Sequence, residues 1–360
     1  MRILVRLLIY PALLLAGLWL LLATQFGLVL LLLSGETASL GRLQVEDAHG
    51  SLLEGVSFRQ LQWSGDGQQA RLGSTHLNWR FARDGDGITW HLDQGSVSSL
   101  RLPNAEQADD SDAPEASISL PEIALPINVA IHELSIGPVL IDGTPVMDSA
   151  ILTAAMAADQ AVIQHIRIRR PGQSLRVEGE LTLSGDWPLT LALIADATEP
   201  KQQLQLELTG SMAELAGQWH ARGWLSGSGT LAAEPFRQKA ELSGELQSRP
   251  LVQLYPALGT AQASAKMALR WQQGLRGTMD LSAGSNRLQL RAEASKIHAQ
   301  LEAPQPELIL NTLSGQLSAT GVWQPGGKGQ LSAVVDWRRL SLPDGKIGDL
   351  SANIEGPLDE

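Results

Sequence analysis

After Leu43, apolar and polar residues alternate with period two along most of the chain, the pattern of strands that show one apolar face. The clearest run is Ser174 to Ser184. Leu175, Val177, Leu181 and Leu183 fall on one side, and Arg176, Glu178, Glu180 and Thr182 on the other. Leu204, Leu206 and Leu208 alternate with Gln205 and Glu207, and Leu288 and Leu290 with Gln289 and Arg291. Ile297 and Leu301 flank Ala299, and Leu331 and Val335 flank Ala333, with Val334 as a lapse. These aliphatic positions are the candidate lining of one apolar surface.

Short Gly/Asp turns separate the runs: Gly65-Asp66-Gly67, Asp84-Gly85-Asp86-Gly87, Ser184-Gly185-Asp186 and Gly326-Gly327-Lys328-Gly329. Turns of this length join antiparallel neighbours, whereas parallel strands need a crossover of a dozen residues or more. A long antiparallel meander is therefore expected. A Gly-x-Leu phrase recurs at Gly50, Gly179, Gly229, Gly244, Gly315 and Gly329 with irregular spacing, as in a reused hairpin rather than a strict solenoid. Two stretches depart from alternation. Asp148 to Asp159 is rich in Ala and reads as a short helix, and Arg249 to Leu258 carries Leu251, Leu254, Tyr255 and Leu258 at helical spacing. The second is expected to be a capping or crossover helix over one end of the sheet.

The N-terminal segment is of another kind. Between Arg6 and Glu36 there is no charged residue. A hydrocarbon core of about 30 Å needs about 20 helical residues, and the run Leu7 to Leu33 exceeds that. A cleavable signal peptide has an apolar region of about 7–15 residues before a small-residue site, and Thr37-Ala38-Ser39 matches such a site poorly. The segment reads as an uncleaved anchor built on Leu7, Leu13, Leu14, Leu18, Trp19, Leu22, Phe26 and Leu33. Arg2 and Arg6 precede it and place the N-terminus in the cytoplasm. The expected organisation is a cytoplasmic start and anchor over 1–34, a first β region over 35–102, a Pro-rich acidic linker over 103–126, and a repetitive β region over 127–360.

Composition narrows the chemistry. The net charge of −11 disfavours nucleic acid and anionic lipid headgroups as general electrostatic partners. With no cysteine among 360 residues, disulfides, thiolate metal sites and cysteine nucleophiles are excluded. The seven histidines form no metal-ligand spacing. Gly227-x-Gly229-x-x-Ala232 lacks the strand-to-helix context of a dinucleotide site, and the Asp84–Gly87 turn lacks the remaining ligands of a calcium loop. The expectation is a non-enzymatic protein without catalytic residues, metal or cofactor. Of ten Trp, nine follow Trp19, most beside turns, where they fill the core or mark a rim between apolar surface and water.

One-faced strands must cover their apolar side. Here that side is aliphatic over hundreds of residues without the punctuation of separate sandwich domains, which favours a mainly β fold. An extended antiparallel sheet curled into an apolar trough, with few short helices, would follow the transmembrane helix. The chain resembles the N-terminal part of the TamB family, in the AsmA-like superfamily. The resemblance rests on the anchor followed by Leu43-Gln44-Val45, Gly50-Ser51-Leu52-Leu53-Glu54-Gly55-Val56 and Leu61-Gln62-Trp63, and on Gly179-Glu180-Leu181 with Asp186-Trp187-Pro188-Leu189. It implies an inner-membrane subunit of a translocation and assembly module, spanning the periplasm and working in outer-membrane biogenesis. It further implies an Omp85-type barrel partner in the outer membrane, bound through a C-terminal region absent here, and phospholipid as cargo. Members are longer, so this chain is expected to be a fragment. The rival expectation is a scaffold or chaperone whose sheet edges pair with unfolded outer-membrane β-barrel and autotransporter proteins.

Overall fold

The structure, a computed structural model, describes residues 23–38, 42–65, 68–84, 87–103, 121–324, 330–341 and 347–357. Arg2, Arg6 and the anchor positions Leu7, Leu13, Leu14, Leu18, Trp19 and Leu22 lie outside them, as does most of the linker. The described chain is mainly strand and divides into two units, Met1–Trp187 and Pro188–Glu360.

Unit 1 begins with helix α1 (Gln25–Ala38), which carries Phe26 and Leu33. Leu28 is buried, whereas Phe26, Val29 and Leu30 are exposed. The Gln25 amide reaches the Ala48 carbonyl at 3.3 Å and lies 3.0 Å from His49 Nδ1, fixing the start of the helix to the first strands. Among the described residues no helix is long and apolar enough to cross a membrane.

Fourteen strands of unit 1 follow among the described residues. They are β1 (Leu43–Glu46), β2 (His49–Ser51), β3 (Gly55–Phe58), β4 (Gln60–Gly65), β5 (Gln68–Leu72), β6 (Thr75–Asp84) and β7 (Gly87–Val97). Then come β8 (Leu100–Leu102), β9 (Asn128–Ile136), β10 (Val139–Ile141), β11 (Thr144–Met147), β12 (Ser149–Ala157), β13 (Gln160–Arg170) and β14 (Gln173–Thr182). One sheet pairs β1-β4-β5-β8-β10-β11 in that order. The other runs β2-β3-β6-β7-β9-β12-β13-β14.

Two pairings here are parallel, β8 with β10 and β7 with β9, against the expected all-antiparallel meander. The stretch from Leu102 to Asn128 is long enough to bring the chain back in the same direction, which a two-residue turn is not. The ladders also slip at one level. Shifts at Asn78/Trp79, Leu152/Ala154, Thr153/Ala154 and Ile163/Ile166 follow one another across β6 to β14. The Ala-rich stretch expected to be helical is strand β12, paired on both sides by β9 and β13. Its helix propensity is overridden by two complete ladders.

Unit 2 is simpler. Its strands are β15 (Leu189–Thr198), β16 (Lys201–Gly210), β17 (Leu215–Gly223), β18 (Leu225–Glu234), β19 (Lys239–Pro250) and β20 (Gln262–Gln272). They continue as β21 (Leu275–Ala283), β22 (Asn286–Ala294), β23 (Lys296–Ala303), β24 (Gln316–Gln324), β25 (Gln330–Ser341) and β26 (Ile347–Pro357). Each pairs antiparallel with the next. The helix expected over Arg249–Leu258 is a single 3-10 turn at Leu251–Gln253. Pro256 has no N–H to give a helix and biases Tyr255 away from helical backbone, while Pro250 marks the start. The segment is the connection between β19 and β20 at one end of the sheet, where Gly259 and Ala261 donate to Ile309 and Leu308.

Candidate functional site

Because the ladders of unit 2 are antiparallel and in register through their centres, residues of one parity line up from strand to strand. The central row reads Leu193, Leu206, Trp219, Gly229, Gly244, Met267, Met279, Leu290, Ala299, Gly321, Ala333, Ile354. A second row passes through Leu208, Leu231, Leu242, Leu269, Ile297 and Leu331, and a third through Leu204, Leu246, Leu281, Leu288, Leu301 and Val335. No polar side chain interrupts these three rows. Twelve strands about 4.8 Å apart make this face about 50 Å across.

Every lining position expected in unit 2 falls in these rows. Leu206, Leu208, Leu288, Leu290, Ile297, Leu301, Leu331 and Val335 are half-buried, and Leu204 is exposed. The buried apolar side chains described in this unit are few: Trp219, Ala221, Ala283, Ala303 and Pro306. Most of the row leucines are neither packed as a sandwich core nor bare to water. Leu175, Val177 and Leu181 belong instead to β14 of unit 1, where they pair with Ile168, Ile166 and Ala161 and are half-buried. Leu183 follows that strand, donating its N–H to Asp159 and accepting from Ile123.

Trp219 is the largest buried apolar side chain of unit 2, and its role is not legible from alternation. It lies over Gly229 and Gly244 on the next two strands. A Cβ at Gly229 would stand 2.6 Å from the indole, and one at Gly244 would meet its six-membered ring. The indole Nε1 donates to the Ser243 carbonyl at 3.2 Å. One side chain thus fills three places of the central row. The Gly-x-Leu phrases at Gly229 and Gly244 were its sequence trace.

The opposite face is polar and laced across strands. Lys266 meets Glu245 at 2.8 Å, Arg270 meets Glu241 at 2.7 Å, and Arg287 meets Asp280 at 3.2 Å. The hydrogen bond from Lys266 holds the Glu245 carboxyl below its usual range, and the same contact raises the lysine. Hydrogen bonds from Gln289 and then Arg287 lower Asp280, and Arg237 does the same for Glu234. A shallow cavity of about 430 Å³ opens on this side beside Thr230, Glu241 and Arg270, among solvated pairs.

The most notable titratable group lies in unit 1. His91 Nδ1 and His132 Nε2 are 3.2 Å apart, with ring planes within 5° and centroids 5.4 Å apart. That combination is a side-by-side N–H···N contact, in which one ring's lone pair is occupied by the other's proton. Asp93 stands 3.9 Å from His132 and is held by Arg80 at 3.0 Å. Among the described residues no three His, Asp or Glu are grouped to hold a metal ion.

A family model described as TamB, N-terminal domain, matches residues 91–339. No curated protein and no solved structure matches. The matched stretch covers most of the chain, including every strand of the three apolar rows except the last, and the chain therefore belongs to the family of TamB N-terminal domains.

Proposed function

We propose that this chain is a non-enzymatic, inner-membrane-anchored periplasmic protein that carries phospholipid between membranes along its apolar sheet face. The observation that carries the reading is the unbroken apolar face of unit 2 with most of its leucines half-buried. Each acyl CH₂ buried there contributes about 0.8 kcal/mol, so chains bind without specific contacts and slide without a chemical step. One bilayer leaflet offers about 15 Å of hydrocarbon, so a face of about 50 Å seats several lipids side by side. Membership of the TamB family supports a role in outer-membrane biogenesis, with an Omp85-type barrel as partner. Docking of α1 onto the first strands of unit 1 through Gln25 supports an anchor held directly against the exported strands that follow it.

Native mass spectrometry of the purified chain is the first test, with phospholipid expected to co-purify. Photocrosslinkers at Leu206 and Leu290 should capture lipid, and Leu206→Asp should abolish transfer while the chain stays folded. Crosslinks to unfolded barrel precursors without any lipid would instead support the scaffold reading. Unfolding of Leu206→Asp would make the face a closed core and defeat the conduit.

A further inference from the structure

The two ends of the unit 2 strands differ on the same apolar face. Turns alternate between the ends along a meander, so the β19–β20, β21–β22 and β23–β24 connections share one end. Two of these, 251–261 and 304–315, interlock. Gly259 donates its N–H to Ile309, Ala261 donates to Leu308, and Asn311 donates to Ala257. Asn286 grips the β23–β24 loop through both the N–H and the carbonyl of Gln305, at 3.0 and 2.7 Å. The Trp337 indole donates to Ser314 at 2.7 Å. Under this clasp the last apolar-face positions are closed off: Asn286 and Ala303 are 2% exposed and Ala283 is 7% exposed.

At the other end nothing comparable covers the face among the described residues. Trp271 and Trp323 occupy apolar-parity positions there and are 51% and 36% exposed. The nearby β18–β19 turn has two cations, Arg237 and Lys239, around the single carboxylate of Glu234. Lys296 opens β23 at the same end. An indole is most stable where hydrocarbon gives way to polar groups and water. Between Trp271 and Ala263 the β20 floor runs about 26 Å, longer than one leaflet's hydrocarbon of about 15 Å.

We infer that a glycerophospholipid lies along the strands of unit 2, its chain ends against the clasp and its phosphate headgroup at the Trp271/Trp323 rim. The lipid is held in one orientation, and it moves sideways from strand to strand with its headgroup always at the same edge. This rests on the conduit reading and adds a direction to it.

The test uses the full chain with two phosphatidylcholine probes, one carrying a diazirine on the headgroup and one at the end of an acyl chain. After irradiation, the labelled peptides are located by mass spectrometry. The headgroup probe should label peptides around Trp271 and Trp323, and the chain-end probe those of 304–315. Reversed labelling, or the same peptides labelled by both probes, overturns the orientation and leaves the conduit standing. No labelling of unit 2 by either probe overturns both. Trp271→Ala with Trp323→Ala should scatter the headgroup label while chain-end labelling persists; an unchanged headgroup pattern would count against the rim.

Discussion

Both units carry continuous apolar rows, such as Val56, Leu77, Gly95, Leu134, Leu152, Ile166 and Val177 in unit 1, but they reach them differently. Unit 1 mixes very short and long strands and carries its rows past a line of register shifts, whereas the long strands of unit 2 keep theirs by unbroken register. In unit 1 the ladders slip near Asn78, Thr153 and Gln164, and β7 meets β9 in parallel. A bulge adds a residue to one strand, turns its following side chains to the other face and increases the local twist. The polar group around His91, Asp93 and His132 gathers where these shifts occur. In unit 2 the shifts lie at strand ends, after Gln247 and Trp337, so the central rows run uninterrupted. Continuous apolar rows are thus reached either by unbroken register or by shifts aligned at one level from strand to strand.

The sharpest way to break that contrast is to move a register. Inserting one Ala after Leu290 in β22 should turn the rest of the strand over and cost about 4 kcal/mol or more, with loss of hydrogen-exchange protection across unit 2. The same insertion beside Gln164, where β13 already bulges, should cost about 1–2 kcal/mol. Gly244→Val comes next. Its side chain would collide with the Trp219 ring and come within 2.6 Å of the Ser228 carbonyl, costing about 3 kcal/mol in denaturant unfolding. Gly356→Ala, on the outer edge with nothing within 4 Å, is the matched control and should stay within about 0.5 kcal/mol. Asn286→Leu would leave the Gln305 N–H and carbonyl without partners and cost about 2 kcal/mol, seen as faster exchange over 304–315.

The smallest effect is electrostatic. The lowered carboxyls of Glu234, Glu245 and Asp280 contribute stability that is present above the ordinary carboxylate range and lost as pH falls through their lowered values. Raised Lys266 contributes below the ordinary lysine range, and that part is lost as pH rises through its raised value. Unfolding midpoints of unit 2 should therefore be flat near neutrality and decline modestly at both extremes. High salt should flatten the profile, since all four groups are solvated.

The strands were legible because period two is a local property. Leu206, Leu290 and Leu301 could each be assigned to the apolar side from their own neighbours. Which strands join in one surface was not, since register between strands depends on distant partners. Leu175 and Leu204 looked alike in sequence but belong to different units. The false helices had the same origin. Ala residues at 154, 155 and 157 favour a helix in isolation, and only pairing with β9 and β13 decides otherwise. Trp219 was missed because its space comes from Gly229 and Gly244, and a glycine in a strand signals many things. The clasp was half-legible: Leu251 and Leu258 marked it as apolar, but its partners Leu308 and Ile309 lie some fifty residues on.

The antiparallel meander also fixes how such a protein can change in length. Each strand reverses direction, so adding or removing a hairpin leaves every later turn at the end where it was. A single strand added between β20 and β23 would send all later turns to the opposite end, taking the 304–315 loop away from its partner at 251–261. Growth by pairs of strands between the two loops preserves the clasp, and growth by one does not. Insertions and deletions within this region should therefore come in whole hairpins, and comparing chain lengths among relatives would reveal that parity.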